Sequence, residues 1–191
     1  TLFTLIFALI SICSQVAYPF TTGKMIALEF LVIGMGSFFL SLQPNNNRVK
    51  GSFLQKVFSN ALPGALILVF NIYALQIITK YIGLTIPDDI KETMQVYLIT
   101  FGGMVYLYRV CEPIDLYRGI LYSAILILSL IWAFCLQKVF GLAKITITQD
   151  DNWKYLLIVL CMIQLNFPLL RLFTTLLGKI KINTDEELLS K

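Results

Sequence analysis

Residues 119–136, GILYSAILILSLIWAFCL, contain no charged side chain. An apolar run of this length approaches the roughly 20 residues that an α-helix needs to cross the hydrocarbon core of a bilayer. The whole chain follows the same trend, because 58% of its 191 residues are hydrophobic and only 14% are charged. Soluble domains carry about 25% charged residues. The composition therefore predicts a membrane protein.

Five further segments have similar length and apolar character, and none shows the strict alternation of a membrane β-strand. In lipid, only helices and closed barrels satisfy every backbone polar group, so these segments are expected to be helices. We predict an all-α fold, a polytopic bundle of six transmembrane helices over residues 1–180, with a cytoplasmic tail at 181–191. The predicted spans are about 1–17, 25–42, 58–79, 92–110, 118–138 and 153–177.

Basic residues between the spans predict which side of the membrane the termini occupy. Six spans place both termini on one side, and the loops and tail of that side hold nine lysines and arginines, against six on the other side. By the positive-inside rule, both termini lie in the cytoplasm of a multi-pass plasma-membrane protein. The net charge of +4 is accounted for by these loops and does not indicate a nucleic-acid partner.

Motifs for catalysis are missing from the sequence. It has no histidine, no G-x-x-x-x-G-K-[ST] phosphate loop and no G-x-S-x-G elbow, and its four cysteines form no C-x-x-C pair. We therefore expect no catalytic residue and no cofactor in this segment, and the sequence leaves any bound metal unknown.

Polar groups inside a membrane span are costly and therefore mark candidate sites. Glu29 lies near the start of the second span, and Gly34 and Gly36 permit the same helix to unwind or to approach another helix closely. Unwinding would free backbone carbonyls around Ile33 and Gly34, which with the Glu29 carboxylate and the nearby Ser37 hydroxyl would suit a cation. Alternatively, Glu29 extends to the membrane interface and the glycines serve only helix packing.

The first span offers a second set of oxygen atoms. Thr4, Ser11 and Gln15 recur at helical spacing and share one face of the helix. That face supplies oxygen ligands for a cation, with Thr4 as a candidate, or hydrogen bonds to a neighbouring helix. The sequence leaves both interpretations open.

Residues 32–45, VIGMGSFFLSLQPN, resemble the sixth membrane helix of bacterial cation-transporting P-type ATPases, where the pattern runs approximately Thr-Ile-Gly-Ile-Pro-x-Phe-Phe-Leu-Ala-Leu-x-Pro-Asn. Neighbouring pieces resemble the family in the same order. YPF at 18–20 is similar to the end of the fifth helix, RVKGSFL at 48–54 to the following cytoplasmic loop, and ALPG at 61–64 to the entry of the seventh helix. The remaining spans would then be the eighth to tenth helices.

This resemblance implies that the chain is the C-terminal membrane region of a cation pump and contributes helices to the ion pathway. Such pumps hydrolyse ATP, with Mg²⁺, in a cytoplasmic domain that carries an Asp-Lys-Thr-Gly-Thr loop ahead of the fifth helix, and this sequence has no such loop. Because an apolar span begins flush with Thr1, we expect a fragment of a longer polypeptide. Its partners would be the rest of the pump, the lipid bilayer and a transported cation.

The resemblance also bears on the ligands of that cation. Calcium and sodium–potassium pumps carry Asp before the glycine of the sixth helix, where this chain has Ile33, and Pro two residues after that glycine, where it has Gly36. Glu29 falls about where those pumps place an amide ligand. The resemblance thus makes Glu29 the main candidate ligand, with the hydroxyls and carbonyls named above as further candidates, and leaves the cation unidentified.

Two other functions fit the same composition. One is a standalone small membrane channel or carrier, and the other is an accessory membrane subunit whose polar stripes only join helices. The coding sequence upstream of Thr1 separates these hypotheses: a long frame with the phosphorylation loop supports the pump, whereas a nearby start codon supports the alternatives.

Overall fold

In a computed structural model, the described residues are 2–14, 25–43, 53–81, 86–135, 137, 139–143, 145 and 153–189. Over these ranges the chain forms helices and no β-strand. The helices are α1 (Leu2–Ser14), α2 (Ala27–Ser41), α3 (Phe53–Tyr81), α4 (Asp88–Val110), α5 (Leu116–Cys135) and α6 (Trp153–Leu189). The predicted all-α fold with six helices is confirmed for this part of the chain.

Three of these helices are long and apolar enough to cross a membrane by length and composition: Val57–Tyr81, Leu116–Cys135 and Trp153–Leu177. Two shorter apolar helices, Leu2–Cys13 and Ala27–Ser41, precede them. That all six helices cross the membrane stays a prediction. The last helix is longer than its predicted span, because it continues to Leu189 through most of the segment expected as a tail.

The centre of the bundle is α4, the least apolar of the predicted spans. Every residue from Thr93 to Thr100 is buried, and α4 packs against α2, α3, α5 and α6. Its first turn carries Asp88 and Asp89, which complement the positive end of the helix dipole. A helix enclosed by its neighbours is not exposed to lipid, so it tolerates polar residues such as Gln95 and Thr100, both of which are buried.

Hydrogen bonds from α4 fix its register against α5 and the segment that follows. The Tyr97 hydroxyl donates to the Ala133 carbonyl at 2.6 Å, and the Gln137 amide donates to the Tyr97 hydroxyl at 2.6 Å. The Ala143 amide N–H donates to the Thr93 hydroxyl at 2.9 Å. The residues after α5 therefore fold back over the first half of α4.

Candidate functional site

The helix that carries Glu29 has an unusual backbone. Residues Ala27–Met35 of α2 form a π-helix, and Gly36–Ser41 continue as an α-helix. In a π-helix each carbonyl accepts a hydrogen bond from the amide N–H of the residue five positions ahead. Such segments are rare in proteins, and those that occur often lie at functional sites. Met35 and Gly36 keep right-handed helical dihedrals, so the backbone widens at this point and does not unwind.

Gly34 contributes directly to this wide turn. A Cβ atom at position 34 would lie 3.1 Å from the Glu29 carbonyl oxygen, five residues earlier. A side chain at position 34 would therefore crowd the Glu29 carbonyl oxygen, which faces Gly34 in the π-helical pattern. The Ser37 hydroxyl donates to the Gly34 carbonyl at 3.2 Å, so that oxygen already has a side-chain partner.

Glu29 lies on the outward face of α2. Its side chain is exposed, as are those of Phe30, Ile33 and Ser37 on the same helix. Among the described residues, the Glu29 carboxylate has no hydrogen-bond or ion-pair partner. A carboxylate at the centre of a membrane-spanning helix costs about 2.5–3.5 kcal/mol on insertion scales, so an outward Glu29 requires either the membrane interface or a covering polar group.

Two of the predicted site residues meet at an apolar groove. A cavity of about 490 Å³ lies between α1, α2, α3 and α4, and its lining includes Ile33, Ser37, Phe3 and Tyr106. Its walls are mostly aliphatic and aromatic, which is the chemistry of a hydrophobic contact and not of an ion site. Ile33 therefore presents its side chain to this groove, and only its carbonyl oxygen would suit a cation.

Thr4 and Glu29 lie outside the described lining of the groove. Thr4 is half-buried on α1 and already has an interaction partner. The structure thus groups Ile33, Gly34 and Ser37 along α2 next to Glu29, whereas Thr4 lies on α1 and is not part of the groove lining. Within the described part of the chain, no three side chains of the His, Cys, Asp and Glu types cluster as a metal site would require.

A second polar site lies deeper in the bundle, between α3, α4 and α6. Asn71 and Asn166 are fully buried, and their amide nitrogens lie 2.8 Å and 3.4 Å from the point that a Cβ of Gly102 would occupy. The Asn71 amide also donates to the Leu98 carbonyl at 3.5 Å. Gly102 therefore lets two amides approach the backbone of α4.

Comparison with known proteins relates the chain to one transporter. It is 26% identical over 129 residues to the probable cation-transporting ATPase exp7 of Streptococcus pneumoniae, and the match covers 63% of this chain. The chain spans only 16% of the length of that protein. No protein-family model and no solved structure matches it. The chain is therefore distantly similar to one part of a probable cation-transporting ATPase.

Proposed function

We propose that this chain forms helices five to ten of a P-type cation pump, with ATP and Mg²⁺ bound in a portion of the polypeptide beyond this sequence. The observation that supports the proposal is the match of 63% of this chain to 16% of a probable cation-transporting ATPase, so that the chain is similar to one part of a larger pump. The order of motifs around the second helix supports the same assignment.

In this proposal the cation ligands on α2 lie in its π-helical part and at Ser37, just after it. The Glu29 carboxylate supplies the charge that offsets the cation, since a hard cation bound in a protein takes oxygen ligands and favours carboxylates. Further oxygens would come from the Ser37 hydroxyl and from carbonyls near Ile33 and Gly34. The Thr4 hydroxyl on α1 would be a further candidate ligand.

The outward position of Glu29 fits a pump whose other helices cover this face. A carboxylate exposed on the lipid side is costly, whereas one facing a neighbouring helix can meet a cation or a hydrogen-bond donor there. Both termini would lie on the cytoplasmic side of the plasma membrane. The first residues of α1 would then be on the side where ATP is hydrolysed.

The test is cation-stimulated ATP hydrolysis by the protein expressed from its complete coding sequence. We expect Glu29→Gln to raise the cation concentration for half-maximal activity at least about tenfold, because a charge-assisted contact contributes about 1.4 kcal/mol or more. Asp88→Asn is the matched control, since Asp88 is exposed at the start of α4. Unchanged cation affinity and turnover in Glu29→Gln would remove Glu29 from the site.

A further inference from the structure

We infer that Tyr117 and Arg118 are positioning residues that hold the C-terminal end of α2, so that conformational change in this helix is confined to the π-helical part that carries Glu29. The inference rests on the proposed function for its mechanistic meaning. The anchoring of the end of α2 to α5 follows from the observed contacts and does not depend on the proposed function.

The end of α2 is bound by two side chains from the start of α5. The Tyr117 hydroxyl donates to the Phe39 carbonyl at 3.0 Å, and Arg118 Nε donates to Gln43 Oε1 at 2.8 Å. The last carbonyls of a helix have no partner in regular helical bonding, so they are natural acceptors for such side chains. A guanidinium at this point also complements the negative end of the helix dipole.

Arg118 is itself held in place by the loop that joins α4 to α5. One of its terminal nitrogens donates to the carbonyls of Glu112 and Pro113, at 3.5 Å and 3.3 Å. The Gly119 amide N–H donates to the Asp115 carbonyl at 2.8 Å, which closes the first turn of α5. The loop, the start of α5 and the end of α2 therefore form one connected unit.

The α-helical part of α2 is also fitted closely to α4. Gly36 is buried, and a Cβ at this position would lie 2.9 Å from the Leu107 Cδ1 atom. Directly before Gly36 the backbone changes to the π form, and Glu29 and Ile33 there are exposed. The α-helical part is thus held at Gly36 by α4 and at its end by α5. The π segment before it packs on α4 through the buried Leu28 and Val32, while Glu29 is exposed.

Anchoring one end of α2 determines which part of the helix moves when the hydrogen bonding of the π segment changes. Conversion from π to α bonding changes the number of residues per turn, so the residues before the conversion rotate about the helix axis relative to those after it. If the end of α2 were free, that rotation would be shared by both ends. Because Tyr117 and Arg118 hold the end, the rotation would move Glu29, together with the buried Leu28 beside it.

The first experiment measures anchoring without any activity. Backbone hydrogen exchange is compared for wild type, Tyr117→Phe and Arg118→Gln in the complete protein. We expect exchange over 36–43 to become at least about fivefold faster in both variants, because each removes a bond to the end of α2. Tyr81→Phe is the control, since Tyr81 is 82% exposed. Unchanged exchange over 36–43 overturns the inference.

The second experiment separates positioning from general damage. We expect Tyr117→Phe and Arg118→Gln to weaken the apparent cation affinity about three- to tenfold with most of the maximal hydrolysis rate retained, and Arg118→Lys to recover part of the loss. In a Glu29→Gln background the same changes should have no further effect on affinity, because they act through Glu29. Additive losses, or a loss of maximal rate alone, overturn the inference. A wild type that no cation activates contradicts the proposed function instead, and the exchange measurement then decides the anchoring by itself.

Discussion

Leu28 of α2 lies directly on Gly103 of α4, so closely that a Cβ at position 103 would come within 2.6 Å of the Leu28 Cδ1 atom. Both residues are buried. We expect Gly103→Ala to destabilise the protein by about 1–3 kcal/mol, because the added methyl group overpacks this contact. Thermal unfolding of the purified complete protein measures the loss.

The same contact gives a pairwise prediction. Leu28→Ala removes the atoms that the new methyl group would strike, so the double variant should lose about 0.5–3 kcal/mol less than the sum of the single variants. Gly119→Ala is the matched control, because a Cβ there meets only Ile114 at 3.5 Å. Strictly additive losses would show that α2 does not depend on Gly103 for its position.

Asn166 on α6 gives a prediction about buried polarity. Neither of its amide atoms has a hydrogen-bond partner among the described residues. We expect Asn166→Leu to change the free energy of unfolding by less than about 1 kcal/mol, because an apolar group of similar shape replaces an unsatisfied one. Asn166→Asp should cost several kcal/mol, roughly the penalty of a buried charge without a partner. A loss above about 2 kcal/mol in the leucine variant would show that the amide is hydrogen-bonded after all.

The thiol of Cys111, just beyond the end of α4, should stay protonated to a higher pH than an ordinary thiol. Burial raises the pKa of Cys111, and the nearby positive charge of Arg118 opposes that rise. The thiolate is the reactive form, so maleimide labelling of Cys111 should accelerate only at a pH above the ordinary thiol range.

The sign of the Arg118 effect can be checked with a variant. In a background without the other three cysteines, Arg118→Gln removes the opposing charge and should move the labelling profile of Cys111 to still higher pH. The folded protein binds the proton of this thiol more tightly than the unfolded chain does. The resulting contribution to stability is fully present below the pKa of the thiol in the unfolded chain, and it is lost as pH rises through the higher pKa of the folded protein. A shift of the labelling profile to lower pH would contradict this account.

The membrane crossing of α4 is a separate prediction. Asp88 is exposed at the first residue of α4, and Asp115 is exposed in the loop that follows the other end of this helix. In a cysteine-free background, Asp88→Cys should react with a membrane-impermeant maleimide from outside intact cells, and Asp115→Cys only after access to the cytoplasm. Labelling of both positions from the same side would show that α4 does not cross the membrane.

The sequence predicts the helices well and their arrangement poorly. Apolar runs such as 119–136 are sufficient to predict helix number, because lipid requires every backbone group to be paired within the element. They do not reveal that α4 is central, since its polar residues lower its hydropathy and only its neighbours explain why they are tolerated. Gly102 and Gly103 indicate close packing, but the partners Asn71 and Leu28 come from distant parts of the chain.

The candidate site is predictable in its residues and not in its backbone. Glu29 followed by Gly34 and Gly36 indicates a weakened helix, yet the sequence cannot distinguish unwinding from the π form that the structure adopts. The difference depends on contacts such as Gly36 with Leu107, which fix the end of the helix. The bonds of Tyr117 and Arg118 to α2 join positions more than 70 residues apart, and no local pattern indicates them.

The most direct test of the central claim is ATP-driven cation uptake by the complete protein reconstituted in sealed vesicles. We predict accumulation of one tracer cation that requires ATP and Mg²⁺ on the side of both termini, together with a cation-dependent aspartyl phosphate on the protein. Equal uptake with and without ATP, or no cation-dependent phosphorylation, would contradict the assignment to a pump.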